Sequence, residues 1–320
     1  NGTVIFKNGK IEYAGVAKTD GYDANTASMI DGTGKHVYPG FIATGSGLGL
    51  IEFSAVRATR DAYEVGVFNP NVRSLIAYNT DSKVIPTVRS NGVLIAEVVP
   101  GGAVISGQSS IMKLAGWNWE DAVVVPDNAM HMYWPGIYSY NYQKGTYEIS
   151  STYNQELLMI NNFMAEAKAY CTVATHKEKN LKFEAMRNIF AGKQKMFISA
   201  NSEKAIIGAV DFAKTYGIKI VIVGGRQSYR VTTLLKENNI PVIIETTHEL
   251  PSFDGDPVDL PYKLPSMLVK AGVLCGLTLS DGGDSFWGMR NLPFVAGTAA
   301  AYGLSKEEAV QLITLNNAKI

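Results

Sequence analysis

From residue 195 onward the chain alternates short apolar runs with amphipathic segments, and this alternation limits its fold more than any other feature. The runs "KMFISA" (195–200), "IKIVIVGG" (218–225), "IPVII" (240–244) and "VLCGLTLSD" (273–281) are apolar at successive positions. A strand that is apolar on both faces must be covered on both, which is the condition of a parallel sheet flanked by helices. The segments in between supply those helices. Ser202 is an N-cap for a helix ending near Gly217, with Ile206, Val210 and Ala213 on one face. Further helices are expected over about 227–237 and 263–271, and Ser305 with Glu308 forms a capping box for "SKEEAVQLIT". Two architectures satisfy the pattern, a (β/α)8 barrel and a doubly wound sheet.

The first half is less regular. "VIFKNGKIEYAG" (4–15) places apolar residues on either side of Asn8-Gly9, which suits a hairpin with a type I′ turn. A turn-rich link, "DGTGKHVYPGF", then leads into the first buried strand. The expected division is a small β element over 1–37 and a barrel domain over 38–320. A helix is expected around 83–91 and a long one over about 154–170, with short strands and Gly-rich turns between 82 and 116.

Composition excludes several classes of function. Hydrophobic residues make up 46% and charged ones 18%, so the chain can bury a core and is not disordered. Its 29 basic and 29 acidic residues cancel, leaving no field that favours nucleic acid or an anionic membrane. No run of 18 apolar residues exists, so no transmembrane segment is expected. Cys171 and Cys275 match no metal or redox spacing and read as buried thiols. The chain begins without methionine, which is compatible with a removed leader, and the compartment is not written in the sequence.

In both parallel architectures chemistry sits just beyond the carboxyl ends of the strands. Those positions hold Thr44, Gly45, Ser46 and Gly47, then Ser199 and Asn201, then Gly224, Gly225 and Arg226, then Glu245 and His248, and finally Asp281. Of the four histidines, His36 and His176 read as surface residues. His131, in "AMHMYWP", reads as a hydrogen-bonded core histidine, and His248 follows a barrel strand. Asp254, Asp256 and Asp259 match no calcium-loop spacing and read as a solvated turn. "VIVGGRQSYR" is not a dinucleotide fingerprint, and "VVPGGAVISGQSS" lacks the lysine of a phosphate loop.

The order "DGTGKHVYPGFI", the strand series and "RNLPFVAGTAAAYGLSKEEAVQLITLNNAKI" resembles the amidohydrolase superfamily, in its imidazolonepropionase-related branch. The resemblance implies a (β/α)8 TIM-like barrel with a small β-sandwich built from both chain termini, here incomplete because the chain stops at "LNNAKI". An exposed edge on the N-terminal hairpin would then favour a homo-oligomer. The resemblance also implies hydrolysis of non-peptide carbon–nitrogen bonds by a metal-bound hydroxide. The family's His-x-His would fall on Gly45 and Gly47, and its two later histidines on Ser199 and Gly224. Only the acid ending the last strand, Asp281, is retained. Zinc takes three or four N, S or O ligands, and glycine has none to give. Without the metal, water keeps a pKa near 15.7 instead of about 7, on the order of 10 kcal/mol of lost activation. The expectation is therefore no metal site, Asp281 as the catalytic remnant, and Thr44, Ser46, Ser199, Asn201, Arg226 and His248 as contacts for a small molecule. Two readings follow: a carbon–nitrogen hydrolase with an altered site, and a non-catalytic relative that binds a ligand or partner.

Overall fold

A computed structural model describes residues 2–18, 20–23, 26–245, 247–252, 255–279 and 285–320. The chain divides into two compact units, Asn1–Pro39 and Gly40–Ile320. The first is an antiparallel hairpin of β1 (Gly2–Lys7) and β2 (Lys10–Val16). Asn8 and Gly9 at its tip have φ of 50° and 73°, the pair of left-handed conformations that a type I′ turn demands.

The second unit is built on an eight-stranded sheet. Its strands are β3 (Phe41–Ser46), β4 (Val93–Val98), β5 (Ile105–Lys113), β6 (Val123–Tyr133), β9 (Lys195–Ala200), β10 (Ile220–Gly224), β11 (Val242–Ile244) and β12 (Cys275–Leu277). Along the sheet they run β12-β11-β10-β9-β6-β5-β4-β3. A separate hairpin, β7 (Tyr138–Asn141) with β8 (Thr146–Ile149), follows β6. The segment from β9 to β12 is the parallel α/β array read from the sequence. Ser202 caps the helix Glu203–Tyr216, and Gly217, at φ 69°, ends it in the left-handed conformation. The capping box of Ser305 and Glu308 is present at the helix Lys306–Leu312.

The expected all-parallel (β/α)8 barrel needs correction at β5, which is antiparallel to both β4 and β6. The reason lies in the connections. Residues 99–104 and 114–122 join these strands, and each link is shorter than the dozen or so residues a parallel crossover needs. The result is a mixed sheet that curls almost to closure.

Its two faces bury different sets of residues, as the period of two requires. One face packs Met130, Met132, Met196, Ile198, Ile222, Val242 and Leu277 against the helices, in the main core. The other carries Ala129, Phe197, Val221, Val223 and Ile243, a separate interior cluster against which Ile320 packs.

The edges β3 and β12 are not joined by a backbone ladder. The C-terminal segment bridges them instead. Asn317, in the short helix Leu315–Lys319, donates from Nδ2 to the Ile42 carbonyl at 2.8 Å and the Leu277 carbonyl at 3.0 Å. Asn316 donates to the Cys275 carbonyl at 2.8 Å, and the Ile42 N–H to the Ile313 carbonyl at 2.8 Å. Above them the Thr278 hydroxyl donates to the Thr44 carbonyl. Gly276 makes this approach possible, since a Cβ there would lie 1.9 Å from Asn317 Oδ1.

Candidate functional site

The sequence "VLIAEVV" puts one carboxylate into an apolar strand, a costly placement unless the charge is answered. That residue is Glu97, near the carboxyl end of β4 and 1% exposed. Three donors answer it. His131 Nε2 on β6 lies 3.2 Å from Oε1, the Ser109 hydroxyl on β5 donates to the same oxygen at 2.8 Å, and the Gly45 N–H on β3 donates to Oε2 at 3.3 Å. Burial alone would push the Glu97 carboxyl up. The hydrogen bond and charge of His131, with Ser109 and Gly45, outweigh it and hold the carboxyl below the ordinary glutamate range.

This group is not a nucleophilic triad. The Ser109 hydroxyl faces Glu97 and, at 3.3 Å, the Ala129 carbonyl, and no hydrogen bond joins it to His131, so the serine–imidazole contact of a triad is missing among the described residues. What the arrangement does is orient His131. Its ring packs at 5.1 Å from Phe197, over the apolar interior cluster, and its Nδ1 makes no hydrogen bond with the described residues.

Strand alternation carries the same wall upward. Two residues beyond His131 on β6 is Tyr133, paired in register with Ser199 on β9. Loss of surrounding water, and then the negative charge of Glu245, raise the Tyr133 phenol above the usual tyrosine range. On β3, Gly45 has φ 67°, and a Cβ there would meet nothing within 4 Å. Its neighbour Thr44 is 4% exposed, and its Oγ1 has no partner among the described residues.

The residues expected from the sequence are distributed unevenly. Thr44 and Ser199 stand at this end of the sheet. Ser46 is fully buried, and its Oγ accepts the Leu48 N–H at 3.1 Å within the turn that follows β3. Asn201 holds the "GGRQ" loop: its backbone carbonyl accepts the Gln227 N–H at 2.9 Å and its side chain lies against Gly224. Arg226 is paired with Glu249 at 2.8 Å and with Ser252. His248 is exposed, bonded to Thr298 on the helix Leu292–Ala301 and tilted against Tyr262, so its partners differ from those of Glu97 and His131. Asp281 lies outside the described residues. Of the three aspartates read as a solvated turn, Asp254 lies outside the described residues and Asp259 is half-buried and paired with Lys263. The Asp256 side chain is instead buried, accepting from the Tyr229 hydroxyl at 2.7 Å and pairing with Arg230 at 3.2 Å.

Glu97 and Tyr133 were not among the residues singled out in the sequence. The signal for Glu97 was its isolation in an apolar strand. For Tyr133 there was none, because a tyrosine in "HMYWP" is also a common core residue.

Among the described residues no three His, Cys, Asp or Glu side chains come together in a group that could hold a metal ion. Gly45, Gly47 and Gly224 have no side-chain donor at all.

No family model and no curated protein matches the chain. Solved structures do. An amidohydrolase from Thermotoga maritima MSB8 is 25% identical, with a TM-score of 0.82, over 99% of this chain and 83% of that one. A prolidase solved with N-methylphosphonate-L-proline is 16% identical, with a TM-score of 0.52, over 99% and 82%. An uncharacterized protein is 15% identical, with a TM-score of 0.53, over 99% and 81%. The last two likenesses concern the fold alone. The fold is amidohydrolase-like. No described helix is long and apolar enough to cross a membrane.

Proposed function

We propose that this chain is a barrel of the amidohydrolase superfamily, in its imidazolonepropionase-related branch, that binds a small neutral molecule without a metal-bound hydroxide. One observation carries this reading. A Cβ on Gly224, where the resemblance implies a histidine, would lie 2.3 Å from Asn201 Oδ1, and Gly224 has φ 87°. The neighbouring amide occupies the space that an imidazole would need, so the position is committed to a structural contact. A homo-oligomer is part of the same proposal, through the edge of the N-terminal hairpin.

A second reading, hydrolysis of non-peptide carbon–nitrogen bonds, draws on the 25% identity to the Thermotoga amidohydrolase. Metal analysis of protein purified without chelators separates the two. Sub-stoichiometric metal and no turnover across a panel of cyclic and linear amides is the expected result. Near-stoichiometric zinc that is lost in His248→Ala and Asp281→Ala would instead support the hydrolase.

A further inference from the structure

We propose that His131 is a general base, oriented by Glu97 as a positioning residue, that exchanges a proton on a carbon next to the carbonyl of a small neutral compound. The proposal rests on reading the strand ends as a ligand site and adds a reaction to that reading.

The argument begins with hydrogen-bond bookkeeping. The Gly45 N–H donates to Glu97 Oε2, the Ser109 hydroxyl lies 2.8 Å from Oε1 and 3.3 Å from the Ala129 carbonyl, and an ionised carboxylate can only accept. The third contact, from His131 Nε2, is then also a donor. When the imidazole gives up its second proton, the carboxylate keeps the hydrogen on Nε2 and the lone pair falls on Nδ1, the nitrogen left without a partner among the described residues. This is the arrangement in which a buried carboxylate fixes a histidine tautomer and stabilises the imidazolium that forms.

An acid stands beside this base. Tyr133 is two residues along the same strand on the same face, its Cα about 6.6 Å from that of His131 at two strand rises. An H–C–C=O unit bound between the two side chains would turn its hydrogen towards His131 and its oxygen towards Tyr133. Tyr133 is 47% exposed at the strand end, and its phenol, raised by local loss of water and by Glu245, keeps its proton at neutral pH and can donate a hydrogen bond. Beneath them the apolar floor of Phe197, Val221 and Ile243 offers no competing polar group.

The step balances without a co-reactant. His131 Nδ1 takes the proton, and the C–H electron pair becomes the carbon–carbon double bond of an enediolate. The carbonyl π pair moves to oxygen, where Tyr133 stabilises it. Return of a proton from the imidazolium completes an exchange or an isomerisation.

The test uses the whole chain and dihydroxyacetone in D2O. Proton NMR follows exchange of the hydroxymethyl hydrogens, and saturation transfer reports binding separately. Wild type is expected to exceed the buffer rate by about 10²-fold, with His131→Gln falling to buffer and Tyr133→Phe in between. Nitrogen-15 shifts of the wild-type imidazole are expected to show the Nε2–H tautomer, which Glu97→Gln disturbs and Glu97→Asp restores in part. Binding without exchange overturns the base and leaves the ligand-site reading standing. Neither binding nor exchange overturns both. An Nδ1–H tautomer in the wild type removes the positioning role of Glu97, even if a variant fails to fold.

Discussion

On β9 to β11 the barrel interior presents Phe197, Val221, Val223 and Ile243, whereas on β4 to β6 it presents Glu97, Ser109 and His131. The same curled sheet therefore has an apolar half and a polar half. The apolar half is all parallel and covered by regular helices; the polar half contains the reversed strand β5. Stability drawn from burial is non-directional and tolerates many sequences. A buried carboxylate requires particular donors at particular distances, and strands joined by short links bring them together. The irregular half is thus where this protein keeps what a chemical step would need.

The comparison breaks most sharply at Glu97. Glu97→Ala leaves His131, Ser109 and the Gly45 N–H without their acceptor and is expected to cost about 4 kcal/mol in urea unfolding. Replacing the whole group by apolar side chains, as Glu97→Met with His131→Leu and Ser109→Ala, should recover most of that loss. Should the triple variant be as unstable as the single one, polarity is not what distinguishes the halves. In the apolar half, Ile243→Ala removes contacts but strands no polar group, with a loss of about 3 kcal/mol and no change in the His131 nitrogen shifts.

At the seam between the halves, Asn317→Ala removes donors from two buried carbonyls and should cost about 2 kcal/mol. Hydrogen exchange would then rise in β3 and β12 before it rises in β9 and β10.

The acid response is a smaller effect. Because the folded Glu97 carboxyl lies below its unfolded value, its contribution is fully present above the unfolded value, near 4.3, and is lost as pH falls through the folded one. The wild-type urea midpoint should therefore drop more between pH 6 and pH 3 than that of Glu97→Gln. Equal slopes would show that Glu97 is not held as a carboxylate. Least of all, His248→Ala, which loses an exposed contact with Thr298, should shift stability by less than about 0.5 kcal/mol.

The parts of this architecture visible in the sequence are those governed by local rules. Lys195–Ala200 was readable because it is a bounded apolar run, and Ser202 and Gly217 because caps work within a few residues. Asn8-Gly9 marked its turn for the same reason. The reversed strand was not readable: "ISGQSSIMK" pairs with either polarity, and only the short links on both sides decide it. Among the candidate residues, Ser46 and Asn201 were placed correctly at strand ends, but their side chains were already engaged. A position after a strand does not say whether a side chain faces the opening or the turn beneath it. His131 was correctly read as a hydrogen-bonded core residue, while its partner, 34 positions away in the chain, was not named.

By itself the sequence determined a parallel α/β array in its second half, a hairpin at its start, and an absence of imidazole at Gly45, Gly47 and Gly224. Periodicity, caps and side-chain chemistry are properties of neighbouring residues or of single ones. Only the tertiary structure decided that Glu97, Ser109, His131 and Gly45 meet, and that Asn317 bridges Ile42 to Leu277. Those contacts join residues far apart in the chain, and their geometry depends on how the sheet curls.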